Sequence, residues 1–202
     1  MDIAVIDYGM GNLRSVGKAL EFAGANVHFI VSPEKLGDFP CAVLPGVGSF
    51  GDGMNNLNTG GFIEPIHDFI ASGRKLMGIC LGMQMMLNSS EESPGVPGLG
   101  IFDGNVIKFD EKLGKVPQIG WNTVELKRHP VTENLPEELD FYFVHSYYAP
   151  LATPGCAGVC RYQQPFSAIL AGNNCFAMQF HPEKSQNAGI ALLRNFLKWA
   201  EE

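Results

Sequence analysis

Apolar residues arrive along the first half of the chain in short unbroken runs separated by helical repeats. Ile3-Ala4-Val5-Ile6 is such a run, of the kind shown by a strand buried on both faces. After Asp7-Tyr8-Gly9-Met10-Gly11-Asn12, the residues Leu13, Val16, Leu20 and Ala23 recur at helical spacing, and Gly24 closes the segment. Residues 27–31 read as the next strand, and Ser32-Pro33 as the cap and first turn of a short helix. Cys41-Ala42-Val43-Leu44 is apolar again and is punctuated by Pro45-Gly46-Val47-Gly48; residues 62–72 read as a helix with Pro65 in its first turn and Gly73 at its end. Arg74-Lys75-Leu76-Met77 starts polar and turns apolar, and Met85-Met86-Leu87 can continue a helix begun just before it. Strands alternating with helices in this way predict a parallel sheet covered on both faces.

Beyond residue 88 the pattern changes. Residues 89–100 hold two prolines and three glycines and read as loop. Strands are expected at 104–109, 121–126, 141–145, 158–162, 167–170 and 175–180, with few helices between them, so antiparallel strands should be added at one edge. Ile190, Leu193, Phe196 and Leu197 mark an amphipathic helix that packs back on the sheet. The predicted fold is α/β: an open, mostly parallel, doubly wound sheet flanked by helices, with antiparallel additions at one edge, in one domain spanning residues 1–202.

Composition narrows the class of function. The apolar content of 46% is enough for a substantial core, and no stretch reaches the length of a membrane span or resembles a cleaved leader, so a cytoplasmic protein is expected. A net charge of −7 without a run of Lys or Arg argues against nucleic acid or an anionic membrane as partner. Five cysteines, an odd number, point to reduced thiols. Cys156-x-x-x-Cys160 lacks a second ligand pair, so no metal site is expected.

The candidate chemistry centres on Gly78-Ile79-Cys80-Leu81-Gly82. Glycines two before and two after a cysteine remove the side chains that collide when a strand turns directly into a helix. A thiol at that apex meets free backbone N–H groups and the positive end of the helix dipole, both of which favour the thiolate. A cysteine in an apolar strand is more often packing than catalysis, but packing has no need of a tight turn on both sides. A base is available in Phe180-His181-Pro182-Glu183, at the end of another predicted strand, where ligands gather in open α/β sheets. There, histidine can exchange the proton and the carboxylate can orient it. Taken alone, His-Pro-Glu reads as a solvated turn. His28, His67 and His129 have structural readings, whereas His145, with Ser146 and Tyr147, could line the same cleft. The N–H of Leu81 and the Gly46-Val47-Gly48 turn can serve a developing oxyanion. Neither glycine-rich turn matches a phosphate-binding pattern, and no cysteine follows residue 175 to complete the zinc-deaminase signature that His181-x-Glu183 begins.

The elbow and His-Pro-Glu together resemble the class I (triad) glutamine amidotransferases. Asp7-Tyr8-Gly9-Met10-Gly11-Asn12-Leu13, Pro45-Gly46-Val47-Gly48-Ser49-Phe50, Gln118-Ile119-Gly120-Trp121-Asn122, Phe143-Val144-His145-Ser146-Tyr147 and His181-Pro182-Glu183-Lys184-Ser185 extend the resemblance end to end. They point to the branch formed by the glutaminase subunits of imidazole glycerol phosphate synthases. The resemblance implies Cys80 as nucleophile, His181 as acid and base, Glu183 as its orienter, and Val47 and Leu81 as oxyanion donors, with a Val47 peptide that reorients before catalysis. It implies that Gly48, Gln84, Glu92, Ser146 and Tyr147 hold glutamine, that no cofactor is needed, and that Asn12, Trp121 and Lys184 face a partner. That partner is a cyclase subunit with a (β/α)₈ barrel fold, which uses the ammonia to make imidazole glycerol phosphate and aminoimidazole carboxamide ribotide in histidine biosynthesis. If the glutaminase fold consumes all 202 residues, the ammonia acceptor must sit on that other chain. The rivals are a γ-glutamyl peptide hydrolase of the same fold and a non-catalytic regulatory module.

Overall fold

The computed structural model describes residues 1–172 and 174–202. The first half winds as β1 (Asp2–Ile6), α1 (Leu13–Ala23), β2 (Asn26–Ile30), β3 (Cys41–Leu44), α2 (Phe50–Thr59), α3 (Ile63–Ala71), β4 (Lys75–Ile79) and the short α4 (Leu81–Met85). The second half adds β5 (Ser89–Ser90), β6 (Asn105–Lys108), β7 (Gln118–Leu126), β8 (Glu138–His145), β9 (Tyr147–Pro150), β10 (Cys156–Arg161), β11 (Pro165–Ala171), β12 (Cys175–Met178) and α5 (Gln186–Ala200). Among the described residues no helix is long and apolar enough to cross a membrane.

The sheet runs β2-β1-β3-β4-β12-β11-β10-β7-β8, with β9, β6 and β5 branching from β11. Neighbours from β2 to β12 are parallel, and from β12 onward they are antiparallel. The apolar runs alternate between two cores. Ile3, Val5, Val43 and Met77 pack with Val16 and Leu20 of α1 and Leu192, Leu193 and Phe196 of α5, while Ala4, Ile6, Ala42 and Leu76 pack with Phe50 and Leu57 of α2 and Ile66 and Phe69 of α3. Both faces are covered, so hydrophobic residues occur in unbroken runs.

Several local expectations are corrected. Phe50–Thr59, unassigned from the sequence, is α2. Two glycines and three asparagines weaken its propensity, but Ser49 Oγ accepts from the Asp52 N–H, and Phe50, Met54 and Leu57 are buried along one stripe. Ser32 makes no side-chain cap; the turn it precedes, Pro33–Asp38, is a 3₁₀ helix. The helix after the elbow ends at Met85 rather than running on through Leu87. Tyr147–Pro150 is a strand, β9, that ties β6 to β11.

Candidate active site

Strands β4 and β12 lie side by side and parallel, with Ile79 opposite Met178, so their carboxyl ends deliver Cys80 and His181 to one edge. The Cys80 N–H donates to the Met178 carbonyl at 2.8 Å, extending the ladder to the apex of the turn. Cys80 itself takes φ 54° and ψ −110°, a conformation that costs an ordinary residue about 1–3 kcal/mol. The flanking glycines have separate reasons. A Cβ on Gly82 would lie 1.9 Å from the Leu44 carbonyl oxygen, and one on Gly78 would lie 3.1 Å from the Met83 backbone. The helix therefore starts hard against the end of β3, and the thiol is held at its N-terminus.

His181 and Glu183 are equally constrained. His181 Nδ1 lies 2.8 Å from Glu183 Oε1, and both side chains are almost wholly buried. The turn is anchored by the His181 N–H on the Tyr142 carbonyl (2.9 Å). Ser185 Oγ donates to the His181 carbonyl (2.6 Å) and accepts from the Tyr142 N–H (3.0 Å). Nε2 of His181 is buried without a hydrogen-bond partner among the described residues. Burial alone would lower the imidazole's pKa, but the adjacent Cys80 sulfur and the Glu183 carboxylate outweigh it and raise the pKa to about 9. His181 is therefore imidazolium at neutral pH. Stability drawn from this proton is complete below the 6.5 of a free histidine and is lost as pH rises through about 9. Cys80→Ala removes the first of the two supporting groups. The His181 midpoint, followed by imidazole ¹⁵N shifts, should fall by about one unit or more.

Other thiols are poor competitors. Burial pushes Cys41 and Cys175 up to about 12 and Cys160 up to about 11, so they stay protonated near neutrality. Cys80 is 8% exposed, and what exposure it has opens into a cavity of about 330 Å³. That volume is at the small end of the ~300–1,000 Å³ range of ligand pockets, a size for a single small metabolite.

The cavity gathers most of the residues singled out in the sequence. Val47, Gly48, Cys80, Leu81, Gln84 and Glu92 line it together with Ser146, Tyr147, His181 and Lys184. Glu183 does not line it and reaches it only through His181. Gly48, at φ 100°, ends the turn that carries the Val47 peptide, and Val47 is exposed. Glu92 Oε2 accepts from the Phe50 N–H at 2.7 Å, which fixes one carboxylate oxygen at the start of α2. Asn12 and Trp121 lie outside the cavity. Asn12 precedes α1 at the carboxyl edge of the sheet. Trp121, 47% exposed, stands edge-on to Tyr142, whose ring also carries Lys184 Nζ at 5.7 Å.

The model for glutamine amidotransferase class-I matches residues 4–199. The chain belongs to the class-I glutamine amidotransferase family. Its relatives include the imidazole glycerol phosphate synthase subunit HisH of Acinetobacter baylyi, 44% identical over 98% of either chain. The protein of the same description from Chlorobaculum tepidum is 40% identical over 98% of this chain and 100% of that one. Solved structures share the fold at low identity. A glutamine amidotransferase superposes with a TM-score of 0.80 at 19% identity over 99% of both chains, and PurLQS from Thermotoga maritima with 0.76 at 19% over 98% of both. The open amidotransferase sheet, parallel with antiparallel additions at one edge and flanked by helices, is the architecture expected from the sequence.

Some residues around this amidotransferase cavity were not picked out by sequence reasoning. The Tyr8 hydroxyl, buried, donates to the Pro45 carbonyl at 2.9 Å and so anchors the Pro45-Gly46 turn. Burial, reinforced by charge at Cys80, pushes that phenol far above its usual pKa, so it remains a donor. Pro117 and Val144 add apolar wall. His145 was expected from the sequence to line this cleft and does so, with Nδ1 2.7 Å from the Tyr147 carbonyl and Nε2 2.9 Å from the Gln118 amide oxygen. Burial brings its pKa down to about 4, so it is neutral at the pH where His181 is charged. Tyr148, by contrast, is packing, stacked on Phe109.

Proposed function

We propose that the chain, as one glutamine amidotransferase domain over residues 1–202, is the glutaminase subunit of an imidazole glycerol phosphate synthase. It releases ammonia from glutamine and passes it to a cyclase partner with a (β/α)₈ barrel, in the cytoplasm, for histidine biosynthesis. The observation that carries this reading is the meeting of Cys80 and His181 on one small cavity, with Glu183 bonded behind His181, in a chain 44% identical to a HisH subunit over nearly its whole length.

In this reading the Cys80 thiolate attacks the side-chain carboxamide carbon of glutamine. The resulting oxyanion is held by the N–H groups of Leu81 and Val47. Rotation of the Val47 peptide brings its N–H into the cavity, a movement that the positive φ of Gly48 supports. The departing nitrogen takes the proton of His181 Nε2, the atom that has no other partner, and leaves as ammonia. A γ-glutamyl thioester remains. His181, now neutral, takes a proton from water, the hydroxide attacks the thioester carbonyl, and glutamate departs as the thiolate is restored. Glu183 Oε1 holds the ring through Nδ1–H and compensates its positive charge. Gly48, Gln84, Glu92, Ser146 and Tyr147 hold the amino-acid substrate, and no cofactor takes part. The exposed Trp121, with Tyr142, Lys184 and Asn12, forms the face toward the cyclase, where a large apolar ring left in solvent gains from being covered.

The test is a glutamate-release assay with the purified chain alone, with a cyclase barrel, and with the barrel plus its phosphoribosyl substrate, alongside a pull-down of the barrel. Release should be low alone and rise about tenfold or more in the loaded complex. Vigorous release by the isolated chain, unaltered by the barrel, would instead favour a free-standing hydrolase.

A further inference from the structure

One polar residue directly follows strand β12, between buried apolar neighbours. Cys175 and Ala177 pack toward the α2–α4 side of the sheet, and Gln179, next in that alternation, is fully buried directly beyond the strand. Its N–H donates to the Ala168 carbonyl at 2.9 Å, so the backbone there is held by β11. A primary amide buried among hydrocarbon costs about 1–3 kcal/mol unless its groups are paired, so its bonds should show what it is for. Gln179 Oε1 accepts from Gln84 Nε2 at 2.9 Å, and Gln179 Nε2 donates to the Cys80 sulfur at 3.7 Å. Gln84 Nε2 also donates to the Tyr147 carbonyl at 3.0 Å, and that carbonyl accepts from His145. The amide of Gln179 therefore has one orientation: its oxygen is taken by Gln84, which leaves only its NH₂ for the sulfur.

We infer that Gln179 is a positioning residue for the nucleophile, an amide donor that steadies the Cys80 thiolate and ties it to the Gln84–Tyr147 wall of the cavity. This rests on the reading of Cys80 as nucleophile and extends it. In that reading His181 is the group that exchanges the proton, and its Nε2 makes no hydrogen bond among the described residues. Gln179 is a non-titrating donor, so it holds the anion without competing for the proton. Because its oxygen is bonded to a residue of the cavity wall, an occupant that moves Gln84 also moves the group that holds the sulfur.

The test is Gln179→Met, matched in length and unable to donate, with Gln179→Leu as the second replacement should methionine fail to fold. Alkylation of Cys80 by iodoacetamide is followed against pH in the full chain by peptide mass spectrometry, and glutamate release is measured with the cyclase subunit added. The expected result is a Cys80 alkylation midpoint raised by about one pH unit, as for loss of one bond to a charged group. The same loss should lower kcat about tenfold while KM stays within about threefold of the original. A midpoint unchanged in a folded variant would overturn the inference, because an amide that merely fills space does not alter the titration of the sulfur. Alkylation uses no glutamine, so the outcomes separate. A chain in which the midpoint moves but no glutamate is ever released refutes the glutaminase reading and leaves the positioning role standing.

Discussion

Alanine at position 80 should lower glutamate release by about 10⁴-fold to 10⁶-fold, because no other group in the cavity can form the thioester and the remaining donors stabilise only the direct attack of water. The three buried thiols Cys41, Cys160 and Cys175 stay protonated and cannot substitute. The same position makes a prediction about stability with the opposite sign. Cys80 occupies a positive φ of 54°, which only glycine adopts without penalty. Glycine at 80 should therefore be more stable than alanine at 80 by about 1 kcal/mol in urea unfolding, although both are inactive. The pair of variants separates the strain stored at the elbow from the chemistry it serves. Equal stability of the two would mean that the apex is not strained, and activity retained by either would remove Cys80 from the mechanism.

The second large effect is expected at Gly189, which no chemistry marks out. This glycine sits within α5, where helix propensity alone would reward Gly→Ala by about 1 kcal/mol. The structure reverses that sign. A Cβ at Gly189 would lie 1.9 Å from the Pro182 carbonyl oxygen and 2.7 Å from its carbon, backbone atoms that cannot swing aside. Pro182 stands between His181 and Glu183, so relief of the clash displaces the turn that sets their 2.8 Å contact. Gly189→Ala should lose about 1–3 kcal/mol of stability, as overpacked sites do, and cut kcat about 10²-fold, as expected when a reacting group is displaced by about 1 Å. Denaturant unfolding and steady-state kinetics read the two effects. A stabilised, fully active variant would show that α5 and the His-Pro-Glu turn are free to separate.

The amino-acid sequence by itself determined a great deal here, because the features it encodes are local. Unbroken apolar runs between helical repeats required a sheet covered on both faces, and the spacing of Gly78, Cys80 and Gly82 required a sharp strand-to-helix turn. The His181-Pro182-Glu183 spacing marked a base and its orienter, while Gly48, Gln84, Glu92, Ser146 and Tyr147 were expected at the substrate from the family resemblance, and the structure gathers these five with Cys80 and His181 around one cavity. Helix α2 was not legible because its glycines and asparagines hide a stripe stabilised by tertiary packing rather than propensity.

What only the tertiary structure decided is which distant positions touch. Whether residues 80 and 181 adjoin depends on β12 inserting beside β4, a pairing across about a hundred positions that no local periodicity specifies. Gln179 is a lone polar residue after an apolar strand, and in the structure its amide bonds the Cys80 sulfur. Gly189 is a poor helix former, and in the structure it makes room for the His181-Pro182-Glu183 turn. Periodicity fixes the face toward which a side chain points. Close packing between elements far apart in sequence fixes what it meets there, and that packing exists only once the sheet has assembled.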